Sequence, residues 1–247
     1  MNNWLFSEGF LIDNCIYFFT DDEYIFGRYS ISENKLFVQK ELKSISKAYR
    51  YIDRYIVFGN HIYAPTINGE SLLVIDSANW KVEVHRINAN GASWGNYSEI
   101  EVYENKIFLF CRKLRKIVIF DTNTSKVEEI ELPFKADFGK TIDGVTWLFS
   151  EDSHSFIRFS LHDLTYKIVY STNEIKDIAH IVAYKKTIII LSRSGDIYFF
   201  NTLTHCLDDV YKSNEYRNVG RLVVTDYVLI ELPSLGRDIY FIERNLK

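Results

Sequence analysis

Few residues in this chain stand in the patterns that chemistry requires. Gly91 to Gly95, GASWG, fits G-x-S-x-G, in which a serine nucleophile sits on a sharp strand-to-helix turn with acid and histidine partners downstream. Ser93 lacks that setting, because the strand-like run YSEIEVYE follows it, so the segment is expected to be a loop. The six histidines, at 61, 85, 154, 162, 180 and 205, show neither H-x-H nor HExxH spacing. Cys15, Cys111 and Cys206 are odd in number, lie far apart and form no CxxC. P-loop, GxGxxG and EF-hand patterns are missing as well. No catalytic residue, metal site, disulfide or cofactor is expected from motifs.

The elements that would position any functional group follow from a weak internal repeat. Ile100 to Leu132, IEVYENKIFLFCRKLRKIVIFDTNTSKVEEIEL, reads as strand, tight turn, apolar strand, polar loop, apolar strand ending in Asp121, turn and alternating strand. The preceding copy, IVFGNHIYAPTINGESLLVIDSANWKVEVHRI, follows the same plan with Asp76 after LLVI. Ser30, Ser160, Asn201 and Glu243 hold the equivalent place in four more worn copies, in steps of 39 to 46 residues. A period near 40 to 45 residues with four short strands per unit is that of a propeller blade. The fold class expected is therefore all-β, a single β-propeller of about six four-stranded blades occupying residues 1–247 as one domain. Second strands such as Ile107 to Cys111 and Ile188 to Leu191 are apolar throughout, as when neighbouring blades cover both faces, whereas fourth strands such as Lys126 to Leu132 alternate. The last copy ends without a fourth strand, and Asn3 to Phe6 precede the first inner strand, so an N-terminal strand is expected to complete the final blade and close the ring.

The D-x-x-T and N-x-x-T turns after third strands resemble those of kelch, NHL and YncE-type propellers, though the double glycine of kelch copies and the GH…WD pair of WD40 blades are missing. The resemblance covers nearly the whole chain, is architectural, and implies ligand or partner binding by analogy. TIDGVTW, Thr141 to Trp147, is one residue short of the S-x-D-x-G-x-T-W box of sialidases, occurs once, and sits between first and second strands. Asp143-Gly144 is expected to be a hairpin turn.

In a propeller the connections between blades and those between second and third strands share one side, and variable loops there carry function. The inter-blade set supplies Tyr49, Arg50, Trp94, Asn96, Tyr97 and Arg217, and the other set supplies Arg112, Arg193 and Arg237. Aromatics beside arginines suit a protein hot spot or a polar ligand. Charge on these loops is divided between acidic and basic copies, which favours a protein or peptide partner over a uniformly anionic polymer. The leading expectation is a non-enzymatic binding or scaffold module that docks its partner on this loop face. One alternative is a lactonase or sugar-lyase type enzyme with a divalent metal held by Glu8, Asn96, Asp177 and Asn218. Another is carbohydrate stacking on Trp94 or Tyr97.

Composition agrees with one large core: 47% of the 247 residues are apolar, with 18 Phe, 17 Tyr and 4 Trp, types that favour half-buried pleated surfaces. A net charge of −4 from 33 acidic and 29 basic residues, spread along the chain, gives no basic cluster for nucleic acid. MNNWLFSEGF has neither the basic n-region nor the apolar run of a signal peptide, and no stretch approaches the roughly 18 apolar residues of a membrane span. Reduced thiols and this start lead to a cytoplasmic expectation.

Overall fold

The computed structural model describes residues 6–12, 14–20, 25–41, 54–66, 69–79, 81–87, 97–112, 114–213, 219–226, 228–233 and 240–243. All regular structure among them is β, so no described helix is long and apolar enough to cross a membrane. The chain divides into two compact units, Met1–Pro133 and Phe134–Lys247. The first holds three antiparallel four-stranded sheets. They are β1 (Phe6–Ile12) to β4 (Lys35–Glu41) with β2 (Cys15–Thr20) and β3 (Ile25–Ser30), then β5 (Ile56–Phe58), β6 (His61–Pro65), β7 (Ser71–Asp76) and β8 (Val82–Arg86). The third is β9 (Tyr97–Tyr103), β10 (Lys106–Cys111), β11 (Lys116–Asp121) and β12 (Val127–Glu131).

The second unit repeats the plan with β13 (Phe138–Ile142), β14 (Val145–Ser150), β15 (Ser155–Ser160) and β16 (Tyr166–Ser171). Its second sheet is β17 (Ile178–Tyr184), β18 (Thr187–Ser192), β19 (Ile197–Asn201) and β20 (Cys206–Tyr211), and its third is β21 (Val219–Val224), β22 (Val228–Pro233) and β23 (Tyr240–Glu243). Within each sheet the strands pair in chain order. One such sheet per sequence repeat makes these the six blades of an all-β propeller, the sixth with three strands among the described residues. Of the segment expected to close the final blade, residues 3–5 lie outside the described residues, and Phe6 opens β1 in register with Thr20.

Packing follows from the middle strands. Ile107 to Cys111 and Ile188 to Leu191 are buried throughout, which is why these strands carry no polar alternation. In the first unit β5 lies beside β9, and Tyr63, Leu72 and Val74 of one blade pack with Leu109, Val118 and Phe120 of the next. In the second, β17 lies between β13 and β21. Phe149, Phe156, Ile188 and Phe200 fill the interface between its first two blades, and Leu191, Phe199, Leu222 and Leu229 fill the next. Fourth strands differ from expectation: β12, β16 and β20 are partly or fully exposed on both faces instead of alternating, since as outermost strands they lack full cover from either neighbour.

In three copies the small polar residue at the end of the third strand acts as the repeat suggested. Asp76 Oδ1 accepts from Ala78 N at 2.8 Å, Asp121 Oδ1 from Thr124 N at 2.8 Å, and Asn201 Oδ1 from Leu203 N at 2.8 Å. The next residue, Ser77, Thr122 or Thr202, donates its hydroxyl to the carbonyl of Asn60, Asn105 or Lys186 in the inner hairpin of the same blade. Within each of these blades both kinds of turn are thereby fastened together, and this end of a blade is its turn face. Asp143 and Gly144 form the expected hairpin with φ 49° and 73° between paired Ile142 and Val145, the doubly left-handed turn that Asp-Gly favours.

A pH prediction arises in the turn after β15. Hydrogen bonds from the Ser160 side chain, then from Thr165, hold the Asp163 carboxyl at about 2 against an ordinary value of 3.8. A depressed folded value means stability that is present above the unfolded value and lost as pH falls through the folded one. Acid unfolding followed by circular dichroism should show Asp163→Asn losing this contribution at neutral pH and narrowing its gap to wild type between about pH 4 and pH 2. A gap that stays constant over that range contradicts it.

Candidate functional site

Antiparallel pairing brings the start of every first strand and the connection between second and third strands to one end of each blade. In four blades a residue just past the fourth strand is pinned there. Ile87 N donates to Glu70 O at 2.9 Å, Leu132 N to Arg115 O at 2.6 Å, Thr172 N to His154 O at 2.9 Å, and Ser213 N to Asp196 Oδ1 at 3.0 Å. The residue entering the next blade is held too: Asp137 Oδ2 accepts from Glu151 N at 2.8 Å, and Arg193 N donates to Asp177 O at 2.9 Å. Loops that look independent in sequence thus form one backbone-fastened surface per blade, the loop face.

That surface is bipolar. In the second unit three of its cations stand beside carboxylates of adjoining loops: Lys135 Nζ lies 3.0 Å from Asp152, Arg193 Nε 3.4 Å from Asp177, and Lys212 Nζ 3.0 Å from Asp196. Lys212 also donates to the Tyr198 hydroxyl at 3.1 Å and lies 4.8 Å above the ring centre. That hydroxyl, then Asp196, raises the Lys212 ammonium above the usual lysine value. Exposed pairs of this kind stabilise the fold little, so their consequence is a fixed pattern of charge. In the first unit Arg115 Nη1 donates to Pro133 O at 3.1 Å, and Leu114, Arg115 and Glu131 border a hollow of about 400 Å³.

Three of the nine candidate binding residues lie among those described. Arg112 follows β10 and is half-buried, and Arg193 lies exposed in the β18–β19 connection against Asp177. Tyr97 is the first residue of β9, only 1% exposed, and packs in the core of the first unit. Tyr49, Arg50, Trp94, Asn96, Arg217 and Arg237 lie outside the described residues, as does Ser93. Of the candidate metal ligands, Glu8 is in β1, Asp177 faces the Arg193 guanidinium, and Asn96 and Asn218 lie outside. Among the described residues no three His, Cys, Asp or Glu side chains group so as to hold a metal ion.

One arrangement escaped the sequence reading. Arg54, just before β5, donates Nε–H to Tyr97 O at 3.0 Å, and its Nη1 lies 4.0 Å from Glu99 Oε2 on β9, linking the inner strands of adjacent blades at their loop-face end. Both residues sit four positions before the residue that opens the inner hairpin, Phe58 or Tyr103. The same position in the first blade is Glu8, and in the second unit it holds Phe138, His180 and Arg221. His180 Nδ1 accepts from Leu222 N of the next blade at 3.2 Å. Five of six copies thus carry an ionisable residue here, Glu8 among them; counting back from the hairpin finds the other four. In several blades the strand register shifts beside this position.

The thiols separate by burial. Desolvation pushes Cys111 up to about 12, whereas Cys206 is exposed. Iodoacetamide at neutral pH, read by peptide mass spectrometry, should modify Cys206 and spare Cys111 in the folded protein, because the thiolate is the nucleophile. Equal labelling of the two contradicts this.

No protein-family model matches the chain, and no curated protein matches it in sequence. Solved structures match it in shape. A catalytically inactive virginiamycin B lyase from Staphylococcus aureus with quinupristin superposes with a TM-score of 0.73 at 12% identity, covering 100% of this chain and 87% of the lyase. The Neurospora crassa Pan2 WD40 domain gives 0.68 at 10% identity over 97% and 76% of the two chains. The computationally designed Ika8 protein gives 0.67 at 9% identity over 97% and 71%. At these identities the likeness shows the propeller fold and no particular family, and it spans an enzyme as well as a WD40 domain.

Proposed function

We propose that this propeller is a non-enzymatic binding module that docks a protein or peptide partner on its loop face. The observation that supports the reading is the row of backbone-fastened loops carrying Lys135–Asp152, Arg193–Asp177 and Lys212–Asp196, which presents both signs of charge at fixed places. Such patterns give orientation and discrimination between partners, whereas a ligand of one sign would call for a face of the other. Arg112 and Arg193 are the described anchors, and Trp94 is the aromatic one; arginine and tryptophan commonly dominate interface energy. Three free cysteines support docking in a reducing, cytoplasmic setting.

The test is affinity capture from the source cell with the folded chain as bait, together with metal analysis of protein purified without chelator. A reproducible stoichiometric protein partner, with no stoichiometric metal, is expected. About one calcium, manganese or zinc ion per chain, with no protein retained, would replace this reading with the metal-assisted alternative.

A further inference from the structure

On the turn face of the second unit, between its first two blades, lies a cleft of about 330 Å³, at the lower end of the range for small-molecule sites. Trp147 on β14 forms its buried floor, with the His205 ring 5.6 Å away, centre to centre, in the turn before β20. Ile142 and Val145, flanking the Asp143-Gly144 hairpin, supply an apolar wall. Leu203 at the rim is 70% exposed, a large apolar side chain left in water.

The charges at this cleft are not equivalent. Lys186 is ion-paired with Asp143, which joins the inner hairpins of the two blades, and its carbonyl is held by Thr202 N and Oγ1 at 2.8 and 2.7 Å. Asp143, the one carboxylate lining the cleft, is thereby committed. Arg158 on β15 stands directly opposite Trp147 in strand register, so both side chains share the face that borders the cleft. Arg158 is exposed and has no ion-pair partner among the described residues. An apolar wall beside an uncommitted guanidinium suits a planar apolar body bearing a carboxylate, which a guanidinium engages with two parallel hydrogen bonds.

We propose that this cleft is a binding site for a small aromatic carboxylate, separate from the loop face. The ring lies against the Trp147–His205 floor under Leu203, and the carboxylate meets Arg158. The full chain is titrated by calorimetry with 2-naphthoate and with its uncharged isostere 2-naphthamide. Saturable 1:1 binding of 2-naphthoate is expected, at least tenfold tighter than the amide. Arg158→Gln should weaken 2-naphthoate at least tenfold while leaving the thermal midpoint in place, because Arg158 is exposed. Lys126→Gln, an exposed lysine in the corresponding turn of another blade, should leave binding unchanged. Equal affinity for amide and acid, full binding by folded Arg158→Gln, or no saturable heat up to millimolar 2-naphthoate would each overturn the proposal.

Discussion

Phe200→Ala is expected to lower the stability of the protein by about 3–5 kcal/mol, the range for removing a fully buried phenylalanine side chain. Phe200 is 0% exposed and stacks on Phe156 of the neighbouring blade with ring centres 3.8 Å apart and planes 4° from parallel, while Trp147 meets it edge-on at 5.9 Å. The truncation removes both contacts and leaves a cavity in an interface that rigid strand pairing prevents from collapsing. In a chain of this length each kcal/mol moves the thermal midpoint by about 2–4 °C, so the expected fall is roughly 6–20 °C. Leu203→Ala, three residues on and exposed, should stay within about 0.5 kcal/mol of wild type. Urea unfolding followed by fluorescence checks both. If residues 1–247 are one domain, Phe200→Ala should shift a single transition; a second transition left unmoved would assign separate stabilities to the two compact units. A Phe200→Ala loss below about 1 kcal/mol would contradict the interface packing.

Arg112→Ala, Arg193→Ala and Trp94→Ala are each expected to weaken binding of the captured partner by about 1–3 kcal/mol, with most of the change in dissociation rate. Arg193 carries the sharpest form of this prediction, because Asp177 holds its guanidinium. Asp177→Ala should weaken binding less than Arg193→Ala, and in the double variant the loss should fall short of the sum, since neighbours sharing one interaction are not additive. Asn79→Ala and Asn123→Ala, in turns on the opposite face, should leave affinity unchanged at matched folded fraction even where they cost turn stability. The reverse pattern in surface plasmon resonance would move binding to the turn face.

The blades were legible because their determinants are local. Asp76, Asp121 and Asn201 each bond to backbone two and three residues away, so in these copies one polar residue after an apolar run marks the turn. Ile188 to Leu191 reads as an interior strand because burial on both faces leaves no polar position. What depends on register across blades was not legible. Arg54 meets Glu99 across 45 residues, and Trp147 meets His205 across 58, through pairings that no single repeat reveals. Tyr97 shows the limit at element ends: the WGNY run reads as a loop, yet its last residue begins β9 and packs in the core. The Asp143-Gly144 hairpin is local and legible, but the cleft beside it needs the neighbouring blade's turn to close one side.

The claim that a partner docks on the loop face is tested most directly by amide hydrogen exchange of the chain with and without the captured partner. Protection is expected to concentrate in peptides covering Arg112 to Arg115, Glu151 to His154 and Arg193 to Asp196, while the turns at Asn60, Asn105, Gly144 and Lys186 exchange as in the free protein. Protection of those turns with the three loops unchanged would contradict it.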